Sequence, residues 1–244
     1  MQLEKRLGRD DKLREAYCAF LEEYEALGHM QLVSRTEITE SRCYLPHHPV
    51  VKEDSTTTKV RVVFDASAQT TSGLSLNDGL LAGPVIQDDL RSIILRSRTR
   101  QIMLVADIEK MFRQIQVCPE NCRFQSILWR SRADEPLSTY ELRTVTYGTK
   151  PAPFLATRTL VQLATDEEEN FPLASKAIKE DFYMDDAITG ADEPIVAKKL
   201  RIELEELLRK GGFVLRKFAS NSETVLEDLA VENRSIQTID GIQR

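Results

Sequence analysis

Three aspartates stand within or at the end of segments whose other residues are largely apolar. Asp185 and Asp186 lie in the strand-like segment 182–189, which has the pattern of a hairpin. Asp107 ends the apolar run 102–106. Strands disfavour Asp, and a carboxylate among apolar neighbours needs a cation or hydrogen-bond donors to remain ionised. A functional site is therefore the natural interpretation of these three residues.

The placement of the three acids indicates what they could do together. A strand that ends in Asp107, set beside a hairpin that carries Asp185 and Asp186, brings three carboxylates to one edge of a sheet. Hard oxygen ligands of this kind suit Mg²⁺, which keeps water and substrate phosphates in its shell. Of two such ions, one lowers the pKa of an attacking hydroxyl and the other holds a triphosphate and its leaving oxygen. The residues alone leave open the alternative that Asp185 and Asp186 form a solvent-exposed turn.

The elements that must position these acids alternate unevenly between helices and strands. Periodicity predicts an amphipathic helix with Asp10 as its N-cap and Gly28 as its C-cap. Further helices are predicted at residues 87–98, 153–164 and 193–210, and strands at 44–52, 59–64, 101–106, 124–129, 140–145, 182–189 and 213–218. Residues 65–84 are rich in Ser, Thr, Gly and Asn and are predicted to be a loop. This order predicts an α+β fold with a central, mostly antiparallel sheet.

Composition limits the class of protein. The chain has 244 residues, of which 41% are hydrophobic and 30% charged, as expected for a globular domain. No run approaches the roughly 18 apolar residues of a membrane helix, and the first residues lack a signal-peptide core, so an intracellular site is expected. The cysteines are irregularly spaced and are expected to be reduced, structural thiols; they are Cys18, Cys43, Cys118 and Cys122.

The charge is not decisive about a nucleic-acid partner. A net charge of −6 argues mildly against one, because a basic face is expected on such proteins. Its distribution weakens the objection, since residues 198–217 carry seven lysines and arginines against three glutamates. A basic surface on an acidic chain is compatible with these numbers.

Four motifs, in order along the chain, resemble those of reverse transcriptases. Arg61-Val62-Val63-Phe64-Asp65 resembles the fingers strand whose Arg binds the incoming triphosphate. Asp107-Ile108-Glu109-Lys110-Met111-Phe112 resembles the first palm motif, in which an aromatic follows five residues after the Asp. Tyr183-Met184-Asp185-Asp186 resembles the Tyr-x-Asp-Asp hairpin, and Gly212-Phe213-Val214-Leu215-Arg216-Lys217 resembles the late palm motif.

The connecting segments narrow this resemblance to the Pol proteins of BEL/Pao retrotransposons. The similar segments are Tyr24-Glu25-Ala26-Leu27-Gly28-His29-Met30, Tyr44-Leu45-Pro46-His47-His48-Pro49-Val50, Val63-Phe64-Asp65-Ala66-Ser67 and Leu215-Arg216-Lys217-Phe218-Ala219-Ser220-Asn221. Together with the four motifs they span about residues 20–221, which is most of the chain.

The resemblance implies a metal site. Asp107, Asp185 and Asp186 would be catalytic metal ligands, and the carbonyl of Ile108 would be an extra ligand. The implied cofactor is a pair of Mg²⁺ ions, with Mn²⁺ as a substitute.

The resemblance also implies a general acid, Lys217, which would protonate the leaving pyrophosphate. Arg216 and Lys210 lie close by in the sequence, and charge alone does not choose among the three.

The implied nucleotide contacts come from four further residues. Arg61 would bind the triphosphate through its charged fork. Phe112 would be the steric gate, a ring that lies under the sugar and excludes a 2′-hydroxyl. Tyr147 and Gly148 belong to the implied dNTP-pocket segment, in which Tyr147 stands where many retroviral enzymes have Gln. The residues alone leave open a strand Arg that reaches solvent and a Phe that only packs in the core.

The implied fold is the fingers and palm of a right-hand polymerase, with a mostly antiparallel palm sheet backed by helices and a thumb that is absent or only a stub. The implied divisions are a helical lead-in at 1–40, fingers at 41–100, palm with the first catalytic Asp at 101–120, fingers again at 121–145, palm with the hairpin and the late motif at 146–221, and the start of a thumb connection or a frayed tail at 222–244.

The implied activity is that of an RNA-directed and DNA-directed DNA polymerase, which transfers a nucleotide from a dNTP to a primer 3′-hydroxyl. Its partners would be an RNA or DNA template with its primer and dNTPs, with no membrane. The cytoplasm or retrotransposon particles would be its location. Protease, RNase H and integrase regions are expected elsewhere in a full-length element.

Two other hypotheses belong to different classes. One is a non-catalytic, truncated relic of a retrotransposon Pol protein, suggested by an end at Arg244 soon after the late palm motif. The other is an aspartic protease, which needs Asp-Thr-Gly or Asp-Ser-Gly. Neither triplet occurs in the sequence, so the protease hypothesis is rejected.

Overall fold

A computed structural model describes residues 2–34, 38, 42–51 and 60–235. Helices occupy Gln2–Leu7 (α1), Asp11–Ala26 (α2), Leu76–Gly79 (α3), Leu90–Ser97 (α4), Pro119–Cys122 (α5), Ala152–Asp166 (α6), Pro172–Glu180 (α7), Pro194–Lys210 (α8) and Glu223–Leu226 (α9). Strands occupy Met30–Leu32 (β1), His47–Val51 (β2), Val60–Phe64 (β3), Ile102–Ile108 (β4), Ser126–Trp129 (β5), Ser138–Leu142 (β6), Phe182–Tyr183 (β7), Asp186–Ala191 (β8) and Leu215–Ser220 (β9). Contacts divide the chain into unit 1, Met1–Gly83 with Ile115–Ala152, and unit 2, Pro84–Gln114 with Pro153–Arg244.

Unit 1 is built around helix α2. Its buried face consists of Leu13, Tyr17, Leu21 and Tyr24, and the helix packs against β3 and β1. The Asp10 carboxylate accepts a hydrogen bond of 3.0 Å from the Leu13 amide, which is the predicted N-cap. Two antiparallel sheets complete the unit, one in the order β1-β6-β5 and one formed by β2 and β3. Apolar side chains of the helix and both sheets form one core.

One local prediction for unit 1 is confirmed and one needs correction. Helix α2 ends at Ala26, and the predicted capping residue, Gly28, follows Leu27 with a φ of 72°. The amide of Gly28 donates to the carbonyl of Glu25 and the amide of His29 to that of Tyr24, both at 2.9 Å, which are the two bonds of a Schellman motif. The predicted loop 65–84 contains α3, which Ser75 begins as part of a capping box. A helix of one turn is too short to give an apolar period, so the sequence does not reveal it.

The predicted strands at 44–52 and 59–64 correspond to β2 and β3, although β2 begins later than predicted, at His47. They pair antiparallel with Val50 opposite Arg61. Residues 52–59 lie outside the described residues, as do residues 236–244 of the predicted tail.

Unit 2 contains a four-stranded antiparallel sheet in the order β7-β8-β4-β9. Leu104, Ala106 and Ile108 of β4 are buried, and Asp107 points to the other, half-exposed face because side chains alternate along a strand. Helix α8 packs against β4 and β8, helix α4 against β7 and β8, and helix α9 against β9. This sheet carries all three aspartates.

Three predictions for unit 2 also need correction. Helix α7 was not predicted, because its buried face is made mostly of small residues and gives a weak apolar period. Helical periodicity in 87–98 predicts one buried face of Leu90, Ile93, Ile94 and Leu95, but α4 buries Ile93 while the other three are exposed. In 193–210 it predicts that Val196, Leu200, Leu204, Leu207 and Leu208 face inward; in α8 the four leucines are buried but Val196 is exposed.

The prediction of a mixed fold with antiparallel pairing is confirmed. In the described ranges the strands form three sheets, not one central sheet. Among the described residues there is no helix both long and apolar enough to span a membrane.

His47 is a buried polar group at the centre of unit 1. Its Nε2 lies 3.1 Å from the carbonyl oxygen of Leu128, and its Nδ1 is hydrogen-bonded to the Tyr17 hydroxyl. A carbonyl can only accept, so Nε2 carries the proton and Nδ1 accepts from Tyr17. Burial lowers the pKa of His47 below its ordinary value, against a smaller opposite effect of the Leu128 carbonyl. His47 is therefore a neutral packing residue.

We predict that acid destabilises the protein through His47. A histidine with a lowered pKa stabilises the fold above its unfolded pKa of about 6.5, and that stability is lost as the pH falls through the folded pKa. The free energy of unfolding, measured by thermal denaturation, should therefore fall less between about pH 8 and pH 5 in His47→Gln than in wild type. His48→Gln is the matched control; it changes an exposed side chain that is the smallest cause of the lowered pKa of His47, so it should keep most of the wild-type slope. Equal slopes for wild type and His47→Gln would contradict the prediction.

Candidate active site

The hairpin of β7 and β8 carries two of the three aspartates at its tip. Tyr183 pairs with Asp186, so Met184 and Asp185 form a two-residue turn. Met184 has a φ of 55°, in the left-handed region that such hairpin turns require. The carbonyl oxygen of Asp185 accepts a hydrogen bond of 2.8 Å from the amide of Ile108, which ties the turn to β4.

The register between β4 and β8 brings the third aspartate to this tip. Asp107 pairs with Asp186 across the two strands. Side chains of directly opposed residues stand on the same face, with Cβ atoms about 4.5–5.5 Å apart. The structure thus brings Asp107 and Asp186 together, with Asp185 next to them in the turn.

A β-bulge brings a lysine to the same place. Val105 pairs with Ala219 and Asp107 pairs with Arg216, so two steps along β4 correspond to three along β9. The extra residue is accommodated where Lys217 has a φ of 55°. The Lys217 ammonium donates to Asp107, with Nζ 2.6 Å from Oδ2.

Backbone strain is concentrated at this site. The non-glycine residues with positive φ in the described ranges are Lys110, Met184 and Lys217. Lys110 follows the end of β4, Met184 lies at the hairpin tip, and Lys217 lies in the bulge. Such conformations cost roughly 1–3 kcal/mol each and persist only where the surrounding structure enforces them. Their clustering around three carboxylates is typical of a functional site.

The electrostatics show that the three carboxylates affect one another. Burial raises the pKa of Asp186, and the nearby charges of Asp185 and Asp107 raise it further. Lys217 acts in the opposite direction and is the weakest of the four causes. The site therefore holds more negative charge than its lysine neutralises.

The donor set fits a divalent cation in its chemistry. Three carboxylates that repel one another are hard oxygen ligands, and a metal ion would relieve the repulsion. Nowhere in the described part of the chain do three Asp, Glu, His or Cys side chains have the arrangement of ligands around one ion. Asp107 is instead paired with Lys217. The metal-ligand role of the Ile108 carbonyl remains a prediction.

The geometry distinguishes the three cations that the sequence left as candidates for a general acid. Arg216 pairs with Glu109 at 3.0 Å and also with Asn233. Lys210 pairs with Glu167, at 3.0 Å. Of these three cations, Lys217 contacts one of the aspartates.

Phe112 lies in a 3₁₀ helix, Met111–Gln114, that begins directly after the strained Lys110. It is half-buried, whereas its neighbours Met111 and Arg113 are buried. Phe112 thus lies on the chain segment that follows Asp107, in the same unit. Its role as a gate remains a prediction.

The other predicted nucleotide contacts, Arg61, Tyr147 and Gly148, lie in unit 1. Arg61 is exposed on β3, between the half-buried Val60 and the buried Val62. The Tyr147 hydroxyl donates to the carbonyl of Val62, so this side chain is used within the unit. Gly148 has a φ of 97°, and a Cβ there would lie 2.7 Å from the carbonyl oxygen of Phe64. Gly148 is therefore required by backbone geometry, and the nucleotide roles remain predictions.

Asn77 was missed by the sequence analysis. Its Nδ2 donates to the hydroxyl of Ser67 at 2.9 Å and to the carbonyl of Gly148 at 3.0 Å, and its Oδ1 accepts from the amide of Lys150 at 2.7 Å. It therefore fixes the turn that contains Gly148 to the loop after β3. An Asn in a polar loop gives no sequence signal for such contacts, because its partners Gly148 and Lys150 are about seventy residues away.

Comparisons with known proteins place the fold. No known protein family matches the sequence, and no curated protein is similar to it in sequence. The protease-reverse transcriptase of prototype foamy virus is similar in structure. A selenomethionine-labelled CSH mutant has a TM-score of 0.62 and 16% identity over 84% of this chain and 24% of that chain. The native protein has a TM-score of 0.57 and 17% identity, over 81% of this chain and 23% of that chain. The chain has a reverse-transcriptase-like fold and spans about a quarter of the length of those two chains.

We predict that Asp186 destabilises the metal-free protein at neutral pH. Because its pKa is raised in the folded state, its contribution is fully favourable below the unfolded pKa of about 3.9 and is lost as the pH rises through the folded pKa. Asp186→Asn in EDTA should therefore raise the melting temperature at neutral pH by about 1 °C, a small shift because water screens a partly exposed carboxyl. The gain should vanish near pH 3.

The control for this prediction is Asp192→Asn, an exposed aspartate just after β8, which should leave the melting temperature unchanged. A lower melting temperature for Asp186→Asn at neutral pH would show that the carboxylate stabilises the fold and that the prediction is wrong.

Proposed function

We propose that this chain is the polymerase domain of a reverse transcriptase from a BEL/Pao-type retrotransposon. The observation that supports this most is the convergence of Asp107, Asp185 and Asp186 beside Lys217, in a chain with a reverse-transcriptase-like fold. The reaction is transfer of a nucleotide from a dNTP to the 3′-hydroxyl of a primer on an RNA or DNA template. A bond forms between the 3′-oxygen and the α-phosphorus, and pyrophosphate leaves.

The chemistry requires cations that the three aspartates are suited to hold. Two Mg²⁺ ions, or Mn²⁺ in their place, when bound by Asp107, Asp185, Asp186 and the carbonyl of Ile108, supply activation of the hydroxyl and neutralise charge on the triphosphate. The strained turn and the bulge fix the backbone from which these side chains extend. Positioning and charge neutralisation account for most of the rate in reactions of this class.

Lys217 has two roles in this proposal. Without metal, its ammonium neutralises part of the charge on Asp107. During the reaction it donates a proton from Nζ to the leaving pyrophosphate. The bulge that directs Lys217 toward Asp107, while Arg216 pairs with Glu109, favours Lys217 for this role.

The nucleotide contacts follow from the same proposal. Arg61 binds the triphosphate with its guanidinium, Phe112 excludes a 2′-hydroxyl by its ring, and Tyr147 and Gly148 shape the pocket segment. Protease, RNase H and integrase regions are expected in the full-length element.

Primer extension by residues 1–244 tests the proposal. Primed RNA and DNA templates with dNTPs and Mg²⁺ or Mn²⁺ should give short additions at low salt. We expect poor processivity that falls steeply with salt, because few phosphates can be neutralised by a chain with a net charge of −6. Asp185→Asn should reduce incorporation at least 1000-fold, a barrier increase of about 4 kcal/mol.

Asp192→Asn is the matched control, since it removes one negative charge from the same unit away from the three acids. It should extend primers like wild type. No incorporation by correctly folded wild type would favour the non-catalytic relic, whereas incorporation that survives Asp185→Asn would refute the assigned site.

Phe112→Val should weaken discrimination against ribonucleotides. If the ring blocks the 2′-hydroxyl, the ratio of kcat/KM for dNTP to that for rNTP should fall by at least 10-fold, about 1.4 kcal/mol. Incorporation of dNTPs should be largely preserved. Phe124→Val, which removes an exposed phenylalanine of unit 1, is the control and should leave the ratio unchanged. An unaltered ratio in Phe112→Val would mean that Phe112 serves packing alone.

A further inference from the structure

The tip of the β7–β8 hairpin is held by a residue to which no role has been given. The Oε1 of Gln87 accepts a hydrogen bond of 3.0 Å from the amide of Met184. Met184 is the turn residue with a φ of 55°, and it directly precedes Asp185. We infer that Gln87 is a positioning residue that fixes the hairpin tip so that Asp185 and Asp186 are preorganised for a divalent cation, an inference that rests on the proposed function.

Two backbone groups of the turn, the Met184 amide and the Asp185 carbonyl, are hydrogen-bonded to residues outside the hairpin. On one side Gln87 accepts from the Met184 amide, and on the other the Ile108 amide donates to the Asp185 carbonyl at 2.8 Å. The two anchors come from different segments, one before α4 and one at the end of β4. A left-handed conformation at a non-glycine residue persists only if the surroundings enforce it. Removing Gln87 removes one of these two constraints.

The segment that contains Gln87 also holds the base of the hairpin. Arg96, in α4, donates to the Asp181 carboxylate at 3.1 Å and also bonds the carbonyl of Glu180. Asp181 in turn accepts from the hydroxyl of Thr189 at 2.8 Å. Residues 87–96 therefore fix the hairpin at two points, its base through a charged network and its tip through Gln87. The base is anchored independently, so loss of the Gln87 contact should release the tip and leave the hairpin folded.

The chemistry of the side chain suits the position. The amide oxygen of Gln87 accepts a hydrogen bond without a formal charge. It therefore adds nothing to the repulsion among Asp107, Asp185 and Asp186. Gln87 is half-buried, which is consistent with a role in positioning.

The test compares Gln87→Met, which keeps the length of the side chain and removes the acceptor, with Gln87→Glu, which keeps an acceptor. Gln101→Met is the matched control at an exposed glutamine of the same unit. Amide hydrogen exchange of Met184 is measured without metal, and the affinity for Mn²⁺ alone is measured by electron paramagnetic resonance. In Gln87→Met we expect exchange at Met184 to be about 10-fold faster and Mn²⁺ to bind about 10-fold more weakly.

Gln87→Glu should retain slow exchange at Met184, and Gln101→Met should match wild type in both measurements. Unchanged exchange in Gln87→Met would overturn the contact, and faster exchange with unchanged Mn²⁺ affinity would overturn the positioning role. Failure of the proposed function alone is recognised in the wild type as a lack of primer extension while Mn²⁺ still binds. A wild type that does not bind Mn²⁺ overturns both the proposed function and the inference.

Discussion

The register between β4 and β8 is the constraint on which the site depends. It places Asp107 opposite Asp186, and a slip of one residue would send one set of side chains to the other face of the sheet. Gly190 makes this register possible at the far end of the pair. A Cβ on Gly190 would lie 2.1 Å from the carbonyl oxygen of Ile102, so only glycine permits the two backbones to approach there. The pairing that brings the carboxylates together therefore requires glycine at a position remote from them.

This register brings like charges together, and strained backbone places a lysine beside them. Three carboxylates at one sheet edge repel one another: burial is the largest cause of the raised pKa of Asp186, and the charges of Asp185 and Asp107 raise it further. Lys217 reduces the repulsion, and it reaches Asp107 only because a β-bulge and a positive φ redirect its side chain. The protein thus accepts an unfavourable backbone and an excess of negative charge in one place. Such a place suits the binding of cations better than it serves stability.

The two units contribute differently to what is proposed. Unit 2 carries the acids and Lys217 on or beside the strands of its four-stranded sheet, and Phe112 in the 3₁₀ helix that follows β4. Unit 1 carries Arg61, Tyr147 and Gly148 around the aromatic core of α2 and β3, and there the structure gives clear packing reasons for two of them. Tyr147 is bonded to the backbone of β3 and Gly148 is dictated by backbone geometry. Their structural roles stand whether or not they also contact a nucleotide.

The sequence by itself determined the local features. Short apolar segments located β4 and the hairpin, and hence the aspartates that end or interrupt them, because those patterns are set by neighbouring residues. Helix α2 and its Asp10 cap followed from the same kind of information, whereas α7 did not, because a face of small residues carries little apolar signal. Tertiary structure alone decided the pairing of Asp107 with Asp186, the choice of Lys217 over Arg216 and Lys210 as the neighbour of Asp107, and the contacts of Gln87 and Asn77. Each of these depends on a register, a bulge or a hydrogen bond between segments roughly seventy or more residues apart. Local periodicity contains no information about such pairings, because one residue of slip changes every partner without changing the pattern.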